Sequence, residues 1–480
     1  MNEESGKKPK TASTIKSYVF VSYLFMILFV GMIVYMIYFQ VVKSEDILTS
    51  PYNQRQAAYS DTITRGSILG ITGAPLAYTA TDENGAEIRV YPYGRLFAQT
   101  VGYTDFGSSG LENVLGARLL ASHTDIITQV ENGINDAKSP GDNVVTYLDH
   151  FLQQTAYEAL GGRKGAVVVL DADTANIIVC ESQTDFDPNT VGSDWDYLNT
   201  EEAGSPFLNR AFQGLYEPGS TFKILTALAF IREHPDDWQD FHYYCQGEYT
   251  AGTYTIHCSE GRVHGEEDLY SAFANSCNCA FSYIATNLLS DHALYAVASK
   301  MGFNTDLDLE LPSSQPVFTL ETLTQDGLTM QTAIGQGDTL ASPIQMAMIA
   351  QAVYNYGIML KPSFLVGTVT ANGSLVERYD TEYLGRVMTT GEASVIKQLM
   401  RGVVESGTGT YLADLPYNIC GKTGTAEYAN ENGYYHSWFV GFSNTGENDI
   451  VVAVLFEEAL PGEAPALAAA RSVFVNYFNR

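Results

Sequence analysis

Basic residues are scarce in this chain of 480 residues. Lysine and arginine together number 26 against 55 aspartates and glutamates, which leaves a formal net charge of −29. A nucleic-acid partner requires a basic stripe that displaces the counterions of the phosphates, so this balance argues against nucleic-acid binding. We interpret the acidity as a solvated protein surface. Low-complexity tracts and internal repeats are also absent, so nothing indicates a solenoid.

Charge is missing altogether from one long run near the N-terminus. No charged side chain occurs from Ser17 to Val42, a length of roughly 39 Å at the ~1.5 Å rise of an α-helix. That length suffices to cross a hydrocarbon core of ~30 Å. A cleaved signal peptide would have a shorter apolar region and a small-residue cleavage site. We therefore predict a tail at residues 1–16 and an uncleaved transmembrane anchor at residues 17–43.

The charges that flank this run predict its orientation. Four lysines precede it, whereas Lys43 alone follows closely. Cytoplasmic flanks carry the excess of positive charge. We expect a single-pass protein of the cell membrane, with a cytoplasmic N-terminus and an extracytoplasmic remainder.

Cysteines are few, and all six follow the predicted anchor. An extracytoplasmic location permits disulfides without requiring them. Cys245 and Cys258 are the best candidate pair, and two small buried thiols are an equally good interpretation. Zinc bound by Cys245, His257, Cys258 and His264 is possible by residue type. Because their spacing fits no strong zinc template, we predict neither a metal nor another cofactor.

Apolar patterning divides the remainder into two parts. Short mixed segments broken by glycine and proline predict a membrane-proximal module at residues 44–155. A second domain is predicted at residues 156–480. Clear periodicity begins near this boundary and predicts a helix, a strand hairpin and a closing helix, at Leu148–Leu160, at Ala166–Leu170 with Ile177–Val179, and at Ala466–Phe478.

The segment Ser220-Thr221-Phe222-Lys223 has the spacing of an activated serine. A serine hydroxyl is a poor nucleophile unless a base accepts its proton. A lysine three residues further along a helix shares its face and can serve as that base. Pro218-Gly219 and the apolar run after Lys223 indicate a helix start, which would place Ser220 at a positive helix terminus.

This pattern alone is not specific, because it recurs at Ser5/Lys8, Ser13/Lys16 and Ser394/Lys397. The first two pairs lie in the predicted tail. The third lies in a predicted helix, where we expect a solvated face.

Two further motifs distinguish Ser220 from these serines. Ser276-Cys277-Asn278 and Lys422-Thr423-Gly424-Thr425 follow it in the order of a β-lactamase and penicillin-binding-protein signature. A phosphate-binding loop at Gly421-Lys422-Thr423 is excluded, because Pro416 stands where that loop requires glycine.

On these motifs, the chain from about Arg65 onward resembles a class B penicillin-binding protein. The resemblance extends to Tyr216-Glu217-Pro218-Gly219-Ser220, Gly335-Gln336-Gly337 and His436-Ser437-Trp438. It implies an α+β fold, in which a penicillin-binding/β-lactamase-like transpeptidase domain has an antiparallel sheet flanked by helices. A transmembrane helix and a small mixed membrane-proximal module would precede that domain. The motif at Arg65-Gly66-Ser67-Ile68 departs from the family pattern, because the acid and the second base that follow there are missing.

The resemblance also implies the roles of individual residues. Ser220 resembles the acylated serine, Lys223 its general base, Ser276 a proton relay and Asn278 a substrate-amide ligand. In the last motif, Lys422 would lend positive charge to the substrate-binding segment Thr423-Gly424-Thr425, whose hydroxyls would bind the terminal D-Ala carboxylate. The oxyanion hole would consist of the backbone N–H groups of Ser220 and Thr425. We expect the pKa of Lys223 to be lowered, whereas Lys422 should stay charged beside a bound carboxylate.

Partners follow from the same resemblance. They are peptidoglycan stem peptides, β-lactams, the membrane, and a SEDS-family (RodA/FtsW-like) glycosyltransferase that supplies the missing glycan polymerase. The alternatives are a D,D-carboxypeptidase, a β-lactam sensor or β-lactamase, and a non-catalytic scaffold for such a polymerase. The intact serine and lysine set argues against the scaffold.

Overall fold

The computed structural model describes residues 11–39, 60–125, 128, 131–132, 134–135, 137–324, 327–428 and 433–480. The chain divides into two units, Met1–Tyr59 and Ser60–Arg480.

Helix α1 of the N-terminal unit spans Thr11–Tyr38. Its described side chains are exposed along all faces, although most of them are large and apolar. The segment Tyr18–Tyr38 has a mean hydropathy of 2.4, and no part of it is buried against protein. A helix apolar on all faces has the composition of a membrane span, and this one is also long enough. The predicted helix is therefore confirmed, while residues 1–10 and 40–43 of the predicted tail and anchor lie outside the described residues.

The larger unit contains short and long α-helices in alternation with strands. Its helices are α2 Ala98–Val101, α3 Gly110–Val114, α4 Gly116–Leu119, α5 His150–Leu160, α6 Val191–Leu198, α7 Lys223–Glu233, α8 Leu269–Ala274, α9 Asn278–Asn287, α10 Ala293–Lys300, α11 Gly327–Ala333, α12 Pro343–Tyr354, α13 Thr390–Ser406 and α14 Pro465–Phe478. Its strands are β1 Ile63–Thr64, β2 Ile68–Leu69, β3 Pro75–Thr81, β4 Glu87–Val90, β5 Ser139–Pro140, β6 Asn143–Thr146, β7 Gly165–Asp171, β8 Ile177–Gln183, β9 Tyr243–Cys245, β10 Glu248–Ala251, β11 Tyr254–His257, β12 Gly265–Glu267, β13 Ile358–Leu360, β14 Leu365–Val369, β15 Leu375–Arg378, β16 Tyr383–Arg386, β17 Cys420–Glu427, β18 Tyr435–Phe442 and β19 Ile450–Ala459.

A five-stranded sheet in the order β17-β18-β19-β7-β8 forms the centre of this unit. Each neighbouring pair is antiparallel. Successive side chains of a strand point to opposite faces, so Val167 and Val169 enter one apolar cluster while Val168 and Leu170 enter another. Burial on both faces explains why these strands are continuous apolar runs.

Helices cover both faces of the sheet. Helices α5 and α14 contribute Leu152 and Phe474 to the cluster on one face. Helix α12, which is buried from Pro343 to Val353, contributes Ile344 and Met348 to the other. This arrangement confirms the predicted α+β class with an antiparallel sheet between helices.

The elements predicted from periodicity are also confirmed. Helix α5 ends at Gly161, whose φ of 61° is a left-handed conformation that glycine adopts without steric cost. Strands β7 and β8 form the predicted antiparallel hairpin, and α14 is the predicted closing helix.

A second sheet, in the order β15-β14-β6-β2-β3-β4, joins distant parts of the sequence. Strand β14 from residues 365–369 pairs with β6 from residues 143–146. The sheet therefore contains strands from both sides of the division predicted between residues 155 and 156. That division stays a prediction.

A buried ion-pair cluster lies beside this sheet. Glu112 is fully buried and accepts from the Arg65 guanidinium at 2.8 Å and from the Arg89 guanidinium at 2.6 Å. Arg89 also donates to the carbonyl oxygen of Gly66. The motif at Arg65 is thus anchored by an acid 47 residues later in the sequence.

Replacing Glu112 by alanine should destabilise the larger unit strongly. The change leaves two buried guanidinium groups without their shared carboxylate, and breaking a buried pair in this way costs roughly 3–5 kcal/mol. Glu83→Ala, at an exposed position of the same module, is the matched control and should shift the urea unfolding midpoint little. Equal midpoints for the two variants would contradict the prediction.

Candidate active site

Ser220 lies in a single turn of 3₁₀-helix, Gly219–Phe222, that continues into α7 at Lys223. The predicted helix start is confirmed, and the 3₁₀ form of its first turn has a local cause. The Thr221 hydroxyl donates to the carbonyl oxygen of Pro218 at 2.7 Å, which tightens the turn. In a 3₁₀-helix the side chains at i and i+3 eclipse, so the Lys223 Nζ lies 3.0 Å from the Ser220 Oγ.

The second motif forms the turn between α8 and α9. Ser276 has a φ of 57°, a left-handed conformation that is unusual for a residue with a Cβ. Cys277 is the N-cap of α9, and its sulfur accepts from the backbone N–H of Ala280 at 3.4 Å. Asn278 is the first residue of that helix. Two helix ends therefore fix the turn.

The amine of Lys223 brings both motifs together. Its Nζ lies 2.7 Å from the carbonyl oxygen of Ser276, 3.1 Å from the Ser276 Oγ and 2.7 Å from the Asn278 Oδ1. The side chain is fully buried, and this burial lowers the pKa of Lys223 to about 8, although the thiols of neighbouring cysteines oppose the shift. The lowered pKa agrees with the expected direction and makes the neutral amine accessible near pH 8.

Lys422 is fully buried in β17. Burial and, secondly, the charge of Lys223 lower its pKa well below the usual value. Its Nζ donates to the carbonyl oxygen of Thr423 at 3.2 Å. We expected this lysine to stay charged beside a bound carboxylate. The surrounding protein disfavours that charge, and the expectation about a bound carboxylate stays a prediction.

Strand β17 packs directly against the turn that carries Ser220. A Cβ added to Gly424 would lie 3.0 Å from the carbonyl oxygen of Pro218 and 2.9 Å from a methyl carbon of Thr221. A Cβ added to Gly219, which has a φ of 52°, would lie 2.6 Å from the carbonyl oxygen of Thr425. Glycine at both positions permits this close approach of two backbones.

A cavity of about 700 Å³ opens over these motifs. Among its lining residues are six of the predicted site residues, Ser220, Ser276, Asn278, Thr423, Gly424 and Thr425. The two lysines lie buried beneath. The structure thus brings all eight predicted residues to one site.

The same cavity includes residues that were not assigned to it from the sequence. The Thr408 hydroxyl lies 2.5 Å from the Thr423 hydroxyl, and no sequence pattern singled it out. Gln336 and Trp438 also line the cavity. Their motifs had been noted only as part of the family resemblance.

Of the other Ser-x-x-Lys pairs, Ser394 and Lys397 can be compared, and their surroundings differ from those of Ser220, whereas the side chains of Ser13 and Lys16 lie outside the described part of the chain. Ser394 lies in α13, where its hydroxyl donates to the carbonyl oxygen of Thr390. We expected Lys397 to lie on a solvated face. Its Nζ instead packs over the rings of Tyr354 and Tyr356. Ser5 and Lys8 lie outside the described residues.

The cysteines beside the site confirm the interpretation of Cys245 and Cys258 as buried thiols and exclude the disulfide. All six are buried free thiols, and the sulfurs of Cys245 and Cys258 are 3.7 Å apart, far beyond the ~2.05 Å of a disulfide. His257 has an exposed side chain and does not join the group considered for zinc. Cys277 takes its place beside Cys245, Cys258 and His264.

Comparison with known proteins identifies the family. The family model of the penicillin binding protein transpeptidase domain, which describes the family's sequences, matches residues 165–478. This match covers well over half of the chain, which therefore belongs to the penicillin-binding protein transpeptidase family.

Individual relatives agree with this assignment. The chain is 28% identical over 459 residues to the peptidoglycan D,D-transpeptidase PbpA of Mycolicibacterium smegmatis, with 90% of this chain and 92% of the relative covered. The D,D-transpeptidase domain of a peptidoglycan glycosyltransferase from Eggerthella lenta is similar with a TM-score of 0.76 and 29% identity, over 86% of this chain and 98% of that one. Penicillin-binding protein A from M. tuberculosis, solved as a penicillin G acyl-enzyme complex, is similar with a TM-score of 0.77 and 25% identity, over 87% and 100% of the two chains.

Gly424→Ala should slow acylation by penicillin by roughly 10-fold or more. The added methyl group would contact the Pro218 carbonyl and displace β17 from the turn of Ser220, and a misplacement of about 1 Å can cost ~10²-fold in rate. Gly391→Ala is the matched control, because a Cβ there meets no atom within 4 Å. Labelling with fluorescent penicillin, quenched at successive times, measures the acylation rates of the two variants. Equal rates would contradict the prediction.

Proposed function

We propose that this protein is a peptidoglycan D,D-transpeptidase that cross-links stem peptides through an acyl-enzyme on Ser220 and is acylated there by β-lactams. The single observation that carries the proposal is the position of the Lys223 amine. It lies within hydrogen-bonding distance of the Ser220 hydroxyl, the Ser276 hydroxyl and the Asn278 amide oxygen at once. A nucleophile, a base and a relay in mutual contact form an acyl-transfer site.

Acylation begins with the transfer of the Ser220 proton to the neutral amine of Lys223. The Ser220 Oγ forms a bond to the carbonyl carbon of the penultimate D-Ala, and a tetrahedral oxyanion results. The backbone N–H groups of Ser220 and Thr425 are the proposed donors to that oxyanion. Close packing of Gly219 on Thr425 supports this assignment, because it brings the two segments together.

Collapse of the intermediate requires a proton on the leaving nitrogen. The Ser276 hydroxyl, 3.1 Å from the Lys223 Nζ, is the proposed relay from the lysine to that nitrogen. The C–N bond then breaks, and the terminal D-Ala departs as a neutral amine. An amine of a second stem peptide attacks the ester carbonyl, its proton returns through the same groups, and the Ser220 hydroxyl is restored.

Substrate binding is assigned to Asn278 and β17. The Asn278 amide donates to the His257 carbonyl at 3.0 Å, which fixes its orientation toward the cavity for the substrate amide. The hydroxyls of Thr423 and Thr425 are the proposed ligands of the terminal carboxylate, with Gly424 between them. Lys422 supplies the countercharge, and the carboxylate in turn favours its charged form.

Other functions use parts of the same site. A D,D-carboxypeptidase shares the acylation step and differs in letting water deacylate the enzyme. A β-lactamase or β-lactam sensor differs in the fate of the penicillin adduct. A non-catalytic scaffold would not require the buried amine of Lys223 to meet three polar groups, at the desolvation cost that its lowered pKa reflects.

The membrane arrangement completes the proposal. Helix α1 anchors the protein in the cell membrane in a single pass, with the lysine-rich tail of residues 1–16 in the cytoplasm and the catalytic domain of residues 156–480 outside. The anchor of residues 17–43 and the module of residues 44–155 contact a SEDS-family (RodA/FtsW-like) glycosyltransferase. That partner supplies the glycan strands, because a class B enzyme lacks its own polymerase.

Ser220→Ala should abolish covalent labelling by fluorescent penicillin, and mass mapping of the wild-type adduct should locate it on Ser220. Ser394→Ala is the matched control, because Ser394 has the same Ser-x-x-Lys spacing, and it should label normally. An adduct on Ser394 would refute the assignment.

The penicillin adduct on Ser220 should also persist for many minutes. Turnover within seconds would favour a β-lactamase, and D-Ala release without an acceptor amine would favour a carboxypeptidase.

Lys223→Arg should nearly abolish acylation at every pH, by roughly 10²–10⁴-fold, because a guanidinium group cannot act as a base. In the unmodified protein, acylation should rise with pH through about 8, since the neutral amine is the active form and forms as pH passes the lowered pKa of Lys223. Lys422→Arg, the same substitution at the neighbouring lysine, should retain partial acylation with weaker substrate binding. If Lys422→Arg nearly abolished acylation while Lys223→Arg retained it, the roles assigned to the two lysines would be wrong.

Replacing residues 1–43 with an unrelated single-pass anchor should preserve penicillin labelling, because the unit Ser60–Arg480 and its pairing of β6 with β14 stay intact, and should weaken co-purification with the glycosyltransferase. The physical reason is that the anchor, which is part of the proposed contact, lies within the replaced segment. Before the comparison, labelling stoichiometry should show that the chimera is folded. Unchanged co-purification of a labelled chimera would contradict the prediction.

A further inference from the structure

Three thiols and one imidazole converge beside the Ser276 turn. The sulfurs of Cys245, Cys258 and Cys277 and a ring nitrogen of His264 all lie within 4.8 Å of one another. The three cysteines are buried and the histidine is half-buried. Catalysis as proposed above uses none of these side chains.

Three of the six separations among these atoms match the edges of a tetrahedron around a metal ion, and all six are within 4.8 Å. The Cys245–Cys258 and Cys258–Cys277 sulfurs are each 3.7 Å apart, and the Cys245 sulfur is 3.4 Å from the His264 Nδ1. Tetrahedral zinc with Zn–S bonds of ~2.3 Å and a Zn–N bond of ~2.0–2.1 Å requires edges of about 3.8 Å between sulfurs and about 3.6 Å between sulfur and nitrogen. A disulfide would require ~2.05 Å.

Backbone donors around the sulfurs favour thiolates. The N–H of Gly247 points at the Cys245 sulfur and that of Ala280 at the Cys277 sulfur, each at 3.4 Å. Outer hydrogen bonds of this kind orient metal ligands and stabilise their charge.

The segments that supply the ligands lie outside the two large sheets. Among the described residues, Cys245 ends β9, which pairs with β12, and Cys258 follows the two-stranded pair β10-β11. Isolated two-stranded pairs are marginally stable in water, and these pairs also pack on the apolar core through Tyr243 and Tyr249. A metal ion that joins them to the start of α9 would add stabilisation, since binding energy at a structural site is also folding energy.

We propose that Cys245, Cys258, His264 and Cys277 bind one Zn²⁺ ion as a closed, structural site. Three thiols release their protons on binding, and the neutral imidazole is the fourth ligand. Four protein ligands leave no position for a reacting water, so the ion stabilises structure and does not perform chemistry.

The site has a consequence for the catalytic turn, and this consequence rests on the proposed function. Cys277 stands between Ser276 and Asn278, so its sulfur ties the turn to the metal. Ser276 has a left-handed φ of 57°, a conformation that costs free energy and persists only where its surroundings hold it. The metal-bound neighbour is such a constraint, and it positions the Ser276 hydroxyl against Lys223.

Metal content of the full chain, purified in detergent and dialysed without chelator, tests the site. We expect about one zinc per chain. Cobalt(II) substituted for zinc should give the intense visible bands of a tetrahedral thiolate complex. Absence of zinc, or a disulfide between Cys258 and Cys279, whose sulfurs are 3.4 Å apart, would overturn the proposal.

Two histidines of the same segment provide a matched pair. His264→Ala should lose most of the zinc and the tetrahedral cobalt spectrum, whereas His257→Ala, at the exposed position, should retain both. His264→Cys should restore binding with four sulfur ligands, which separates loss of a ligand from misfolding. Cys420→Ser, at a buried thiol outside the cluster, should bind normally. Equal metal content in the two histidine variants would overturn the assignment of ligands.

Penicillin acylation then tests the consequence for the turn. His264→Ala should slow acylation by roughly 10-fold or more, and a chelator should slow the unmodified protein but leave this variant unchanged. Unchanged rates after zinc loss would overturn the positioning effect. Failure of the zinc-loaded protein to be acylated at all would instead count against the proposed function, while the metal content and cobalt spectrum would still report on the site.

Discussion

A single buried amine organises the active site of this protein. The Lys223 Nζ meets the hydroxyl of Ser220, the hydroxyl and carbonyl of Ser276, and the amide of Asn278. A charged lysine without solvent contact is costly in free energy, and burial therefore lowers the pKa of Lys223. The burial that lowers the pKa of this amine also makes its partners indispensable, because an unpaired polar group in this position would be costly.

Burial of that amine depends on the approach of a distant strand. Strand β17 packs against the turn of Ser220 through Gly219 and Gly424, and it carries a second buried lysine whose pKa is lowered partly by Lys223. The two lysines therefore differ in what stabilises them. Lys223 has side-chain and backbone acceptors from two motifs around it, whereas the contact of the Lys422 Nζ is to the carbonyl oxygen of Thr423.

The turn at Ser276 connects this site to a region without a large apolar core of its own. Strands β9 to β12 form two-stranded pairs, and the thiols and imidazole that converge there include Cys277 of the catalytic motif. A structural ion at this point would couple the folding of the region to the position of the Ser276 hydroxyl. The buried cluster of Arg65, Arg89 and Glu112 has a comparable structural role in the second sheet, where it also joins residues that are distant in sequence.

The sequence by itself determined the anchor helix, the β7-β8 hairpin, helices α5 and α14, and the reach of Lys223 to Ser220, because each depends on periodicity or on residues within one turn. Tertiary structure decided the rest. Thr408 beside Thr423, the burial of Lys422, the packing of Lys397 on aromatic rings, and the replacement of His257 by Cys277 in the cysteine cluster all depend on where separate segments meet. Local spacing carries no information about those meetings, since long-range packing alone decides which side chains share a buried volume.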